Sequence, residues 1–187
     1  MSELAESFFQ ALEERVGSFD RPINFHVYPF DDGGGINLLT VGAGRQEFVT
    51  YLTWDLFGHQ QQKRGSLGRF ELCAVSADRD WCSDILTKLG RQTLIELFEP
   101  HDTVDIAQWV HPDSALQGLV LEEALRLKLG SPAALESCGL MRCIGVTRPE
   151  LEFARQHGAQ TLIERLRMTG VYPKTIPDRA SVDVIAR

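Results

Sequence analysis

Four stretches in the first 76 residues constrain this chain most: INFHVYPF, GGGINLLTV, EFVTYLTWDLF and GRFELCAVS. Each is short and rich in β-branched and aromatic residues. The first three are separated by DDGGG and GAGRQ, residues that favour tight turns. In the fourth, Phe70, Leu72 and Ala74 alternate with Glu71, Cys73 and Val75, the period of two that sets side chains on opposite faces of a sheet. A chain that begins this way must build a sheet, and the sheet must find something to cover it.

The covering elements are also legible. Leu4, Phe8, Leu12 and Val16 recur at steps of four, widened by Ala5, Phe9 and Ala11, which predicts an N-terminal helix with one apolar stripe. WCSDILTKLGRQTLIELF, with Asp80 as its N-cap, predicts a second helix burying Trp81, Ile85, Leu89, Leu94, Leu97 and Phe98, weakened at Gly90 and stopped by Pro100. Between them, GHQQQKRGSLG (58–68) is polar and glycine-rich and reads as a solvated loop with a disordered tip. DTVDIAQWV reads as a strand, LVLEEALRLKLG fits helix and strand equally, and CGLMRCIGV reads as a strand.

That last strand runs into TRPELEFARQHG. Thr147 as N-cap, Pro149 in the first turn and Glu150 at N3 form a T-x-x-E capping box, so a helix starts there; Gly158 breaks it from a second helix ending near Gly170. The tail beyond is proline-rich. The expected architecture is a single domain over residues 1–187, α/β with α+β character: a mixed, mostly antiparallel sheet packed between helices.

Composition narrows the function classes. The chain carries 26 acidic and 19 basic residues, a formal charge of −7, where nucleic-acid binders show a basic footprint. An acidic body suits a protein partner better than a phosphate backbone, so no nucleic acid is expected. No apolar run approaches the length of a membrane span, and the acidic, amphipathic start lacks the plan of a secretory signal, so a cytoplasmic protein with free thiols is expected.

The chemistry-bearing residues are scattered. The glycine cluster lacks a following GKS or GKT and a helix to hold a phosphate, so its glycines read as hairpin turns. Five histidines and four cysteines show no zinc-site spacing. Cys138 and Cys143, an odd number apart on a strand, should lie on opposite faces. No serine elbow or activated cysteine context is present, and HPD at 111–113 reads as a turn. Neither cofactor nor metal is expected. Glu71 and Arg69, two apart on one strand face, read as an exposed ion pair, with a functional carboxylate as the alternative. Trp54, Asp55, Phe57 and His59 end a strand beside the polar loop, where aromatics serve either as core edge or as interface anchors.

GRFELCAVSADRDW, a leucine-rich helix, and CIGVTRPELEFARQHG in this order resemble the Suppressor of fused family, specifically its bacterial domain. Gly68, Phe70, Glu71, Leu72, Trp81, Gly145, Val146, Thr147, Glu150 and Leu151 carry the resemblance, which spans about residues 67 to 170. LLTVGAG is a weaker echo, without the Met-Ser pair the family often has there. The resemblance implies a single α/β domain with no catalytic activity. It further implies a role in protein binding: eukaryotic members sequester a transcription factor, and bacterial members are associated with toxin systems as immunity proteins.

The expectation is therefore a non-enzymatic cytoplasmic domain that binds and neutralises a protein partner, a toxin encoded nearby. Contacts are expected through Trp54, Asp55, His59, Arg69 and Glu71. The alternative is an enzyme or small-ligand protein with a pocket near the glycine turns and Glu71. The sequence leaves the oligomeric state open.

Overall fold

A computed structural model describes residues 3–16, 26–29, 35–41, 47–54, 56–131 and 134–182. The elements in chain order are α1 (Glu3–Val16), β1 (His26–Pro29), β2 (Gly35–Val41), β3 (Val49–Trp54), β4 (Arg69–Ser76), α2 (Arg79–Gln92), β5 (Thr103–Asp105), β6 (Leu116–Ser131), β7 (Ala134–Thr147), α3 (Arg148–His157), α4 (Ala159–Met168) and β8 (Lys174–Thr175).

Seven strands lie in the order β1-β2-β3-β4-β7-β6-β5, with β8 added beside β4. All neighbours pair antiparallel except β4 with β7 and β4 with β8, so the sheet is mixed and mostly antiparallel, as expected. The DDGGG and GAGRQ segments fall largely outside the described residues, but the strands flanking each pair antiparallel in consecutive order.

Alternation along the strands creates two apolar faces. On one, Ile36, Leu38, Tyr51, Leu72, Leu121, Met141 and Cys143 meet Ile85, Leu86 and Leu89 of α2. On the other, Leu39, Leu52, Cys73, Cys138 and Leu140 pack under Phe8, Phe9 and Leu12 of α1. Val120, Ile144 and Val146 continue that second face under α3 and α4. Cys138 and Cys143 sit in clusters on opposite faces, as their odd spacing requires.

Several expectations need correction. Residues 116–131 are a strand, not a helix, and their ambiguous spacing has a cause. The register shifts between Glu123 and Leu125, so apolar positions on the α1 face move from even to odd numbers: Val120 precedes the shift, and Leu125, Leu127 and Leu129 follow it. Of DTVDIAQWV, only residues 103–105 are strand. Asp78, not Asp80, is the N-cap of α2, accepting from Trp81 N–H at 2.9 Å. That helix ends at Gln92 because Thr93 turns its hydroxyl back onto Gly90 O (2.7 Å) and its carbonyl accepts Lys63 N–H (2.9 Å); Leu97, expected in the core, is exposed.

The 58–68 segment is anchored, not a free tip. Pairing of β3 with β4 ends at Leu52↔Cys73, leaving the edge of β4 bare. Side chains complete it: Thr53 Oγ1 accepts Leu72 N–H at 2.8 Å, and Gln62 bonds both the carbonyl (2.7 Å) and N–H (3.1 Å) of Phe70. Gln62 thus stands in for a neighbouring strand, and Leu56, Phe57 and Leu67 bury on either side of it.

The predicted capping box is present at Thr147–Glu150, and α3 is separated from α4 by Gly158 at φ 91, a value that glycine adopts without strain. No described helix is long and apolar enough to cross a membrane.

Candidate functional site

Of the residues expected at a partner contact, Trp54 and Glu71 are interior. Trp54 stacks on Phe9 of α1 with ring centroids 3.3 Å apart. Glu71 is fully buried; its Oε2 accepts from Thr53 Oγ1 (2.5 Å) and its Oε1 from Phe57 N–H (2.7 Å). The expected exposed pair with Arg69 does not form. Arg69 donates instead to Phe57 O (3.1 Å) and faces Glu136 at 3.7 Å. Asp55 lies outside the described residues, and His59 is half-buried. Of the described members of this set, His59 and Arg69 offer surface to a partner.

Burial also removes the thiols from nucleophilic chemistry. All four cysteines are buried. Desolvation pushes Cys73 up to about 12 and Cys138 up to about 11, and raises Cys82 and Cys143 as well, so none supplies a thiolate at neutral pH. Ser114, beside His111, donates its hydroxyl to Leu116 O and is not aimed at the imidazole. Among the described residues no group of His, Cys, Asp and Glu converges as a metal site.

The most distinctive surface lies at the N-terminus of α2. There a cleft of about 600 Å³ is lined by Asp78, Asp80 and Asp84 from the start of the helix, by Trp81, by Trp109, His111 and Asp113 from the β5–β6 loop, and by Asp178 from the C-terminal segment. A neighbouring hollow of about 530 Å³ shares Asp78, Asp80 and Asp178 and adds Phe48, Ile176 and Pro177. The two lie side by side and share these aspartates, and Arg79 lines the second.

Local chemistry explains why these parts meet. Asp78 caps α2, and negative charge at that end is favoured by the helix dipole. Ser76 Oγ ties the base together, accepting Asp78 N–H (3.0 Å) and donating to Thr175 O (2.8 Å). Lys88 pins the β5–β6 loop to the helix, reaching Asp84 (2.7 Å) and Trp109 O (2.9 Å). The HPD turn closes with Ser114 N–H on His111 O at 2.9 Å.

Five aspartates thus face one groove, with Lys88 already engaged on Asp84. They do not converge on a point, so the groove suits an extended cation, such as lysine or arginine side chains on another protein, with the partly buried Trp81 and Trp109 in its lining. Sequence reading missed it because its members come from residues 78–84, 109–113 and 178. The one local signal was the acidic density of ADRDWCSD.

Two comparisons place this architecture. A chain from the Sufu–Fu complex crystal structure superposes with a TM-score of 0.66 at 16% identity, covering 97% of this chain and 92% of that one. Drosophila Suppressor of Fused superposes with a TM-score of 0.53 at 18% identity over 85% of this chain, which spans 42% of that one. No curated protein sequence matches. At these identities the superpositions establish the fold. Residues 33–180, however, match the sequence family described as Suppressor of fused protein (SUFU), and this range takes in β4, the capping box and Arg179: the chain belongs to the Suppressor of fused family.

Proposed function

We propose that this chain is a non-enzymatic protein-binding domain that captures a cationic segment of a protein partner in the acidic, tryptophan-lined cleft at the start of α2. The observation that carries the reading is the unbalanced charge of the cleft, five aspartates with Lys88 already spent on one of them. Membership of the Suppressor of fused family supports it, as does the likeness to a chain found in a Sufu–Fu complex.

The specific role we propose is that of a cytoplasmic, immunity-type protein: the domain binds a basic toxin encoded nearby and neutralises it by occluding its surface. Complementary charge speeds such an encounter. His59 and Arg69, which are not among the residues lining the cleft, are proposed only as outlying contacts of a large partner.

Co-purification with the product of a neighbouring gene, followed by calorimetric titration, tests the reading. Binding that Asp113→Lys with Asp178→Lys abolishes in a still-folded protein supports it. Undiminished binding by that variant would move the site elsewhere, and failure to protect cells from the neighbour's product would remove the immunity role.

A further inference from the structure

The segment after α4, VYPKTIPDRASV (171–182), contributes only two residues to the sheet and contains two prolines. Its attachment is nonetheless extensive, and it is mainly polar. Tyr172 donates to Glu122 Oε2 at 2.8 Å, with the Arg167 guanidinium 4.4 Å over its ring. Thr175 is fully buried, its hydroxyl accepting Gly145 N–H (3.1 Å) and its carbonyl accepting Ser76 Oγ. Arg179 forks onto Glu150, Nη1 to Oε1 at 2.6 Å and Nη2 to Oε2 at 2.5 Å, and also donates to Gly145 O. Val182 N–H reaches Glu150 Oε1 at 2.7 Å, and Ser181 meets Thr147 at 2.6 Å.

This pattern differs from the rest of the molecule. The helices are held by contiguous apolar clusters, whereas the segment lays Val171, Tyr172 and Val182 against the cluster under α3 and α4 and is otherwise held at discrete polar points, three of whose bonds converge on the single carboxylate of Glu150. Directional bonds of this kind are lost together when their hub is lost, while apolar packing beneath them persists. The segment also supplies Asp178 to both hollows, and Ile176 and Pro177 to the second.

We infer that residues 171–182 form a strap, latched by Glu150 and Arg179, that opens as a unit separate from the global unfolding of the domain and whose opening withdraws Asp178 from the acidic cleft and one wall from the neighbouring hollow. The strap accordingly sets whether Asp178 stands with the other aspartates of the cleft.

Hydrogen exchange on the full chain, wild type against Arg179→Met, tests this. Exchange at Gly145 and Val182, whose N–H groups are donated to strap or hub atoms, is expected to rise at least tenfold while Leu121 and Ile144 in the β6–β7 pair keep their protection. A uniform rise across the sheet would show that strap and core open together, and an unchanged Gly145 and Val182 would show that the latch holds nothing; either result overturns the inference. Should Arg179→Met fail to fold, Tyr172→Phe, which removes the hydroxyl's bonds to Glu122 and Arg142 at the other end, is read the same way. Faster exchange confined to 171–182 supports the strap, and a rise spread over β6 and β7 overturns it.

Discussion

Two buried glutamates do different work with the same functional group. Glu71 accepts from a neutral hydroxyl and a backbone N–H, and so completes the point where β3 leaves β4. Glu71→Ala would strand the Phe57 N–H, a cost of roughly 1–3 kcal/mol for a buried donor, while Glu71→Gln keeps an acceptor there and should lose less; urea unfolding of the two variants gives the comparison. Glu150 instead faces a cation. Burial alone would raise its carboxyl, but bonds from Arg179, Thr147 N–H and Val182 N–H outweigh that and hold it below its usual value of 4.5. A depressed folded-state value means that the stabilisation is complete above 4.5 and is lost as pH falls through the lower folded value. The protection factor of Val182 N–H should therefore decline as the solution is acidified below 4.5, and do so less steeply in Arg179→Met, where the hub has already lost its cation. The capping box was readable in the sequence because Thr147 and Glu150 are three apart. Neither Arg179, 29 residues on, nor the pairing of Glu71 with Thr53, 18 residues back, leaves any local trace.

At the scale of elements, Gly90 shows how a local rule yields to packing. A glycine within a helix costs about 1 kcal/mol relative to alanine, and the sequence marks it as a weak point. In the fold it is buried, and a Cβ there would stand 2.6 Å from Ile36 Cδ1 of β2. The helix gain of Gly90→Ala is thus opposed by overpacking of about 1–3 kcal/mol, and the variant is expected to be neutral to destabilised by about 2 kcal/mol. Ile36→Val should relieve the clash by deleting that methyl, so the double variant should be more stable than the sum of the single effects, a sign that a thermal-unfolding double-mutant cycle reads directly. The same competition explains which elements were legible. Runs with unbroken periodicity, such as β4 and the Phe8, Phe9 and Leu12 part of the α1 stripe, were read correctly. The polar 58–68 segment and the bulged β6 were not, because Gln62 acts through side-chain bonds to the backbone of β4, which leave no apolar pattern, and the register shift at Glu123 erases the alternation.

Over the whole molecule, the formal charge of −7 was visible from composition, but its placement was not. The cleft collects aspartates from three separated segments, and only the fold makes them neighbours. Asp80, Asp113 and Asp178 are exposed there and, unlike Asp78, do not cap α2, so replacing all three with asparagine should leave stability nearly intact apart from the helix-dipole contribution of Asp80, about 0.3–1 kcal/mol. If the cleft steers a cationic partner, the association rate should fall by about tenfold or more at low salt, with a smaller change in dissociation. Raising the ionic strength toward 1 M shortens the screening length to about 3 Å and should bring wild type and variant together. Stopped-flow association with the co-purified partner at several salt concentrations separates the cases. Converging rates place the steering charge at this cleft, whereas rates that differ equally at every salt would mean that the aspartates act by shape and contact, and identical rates throughout would move the docking surface to another part of the fold.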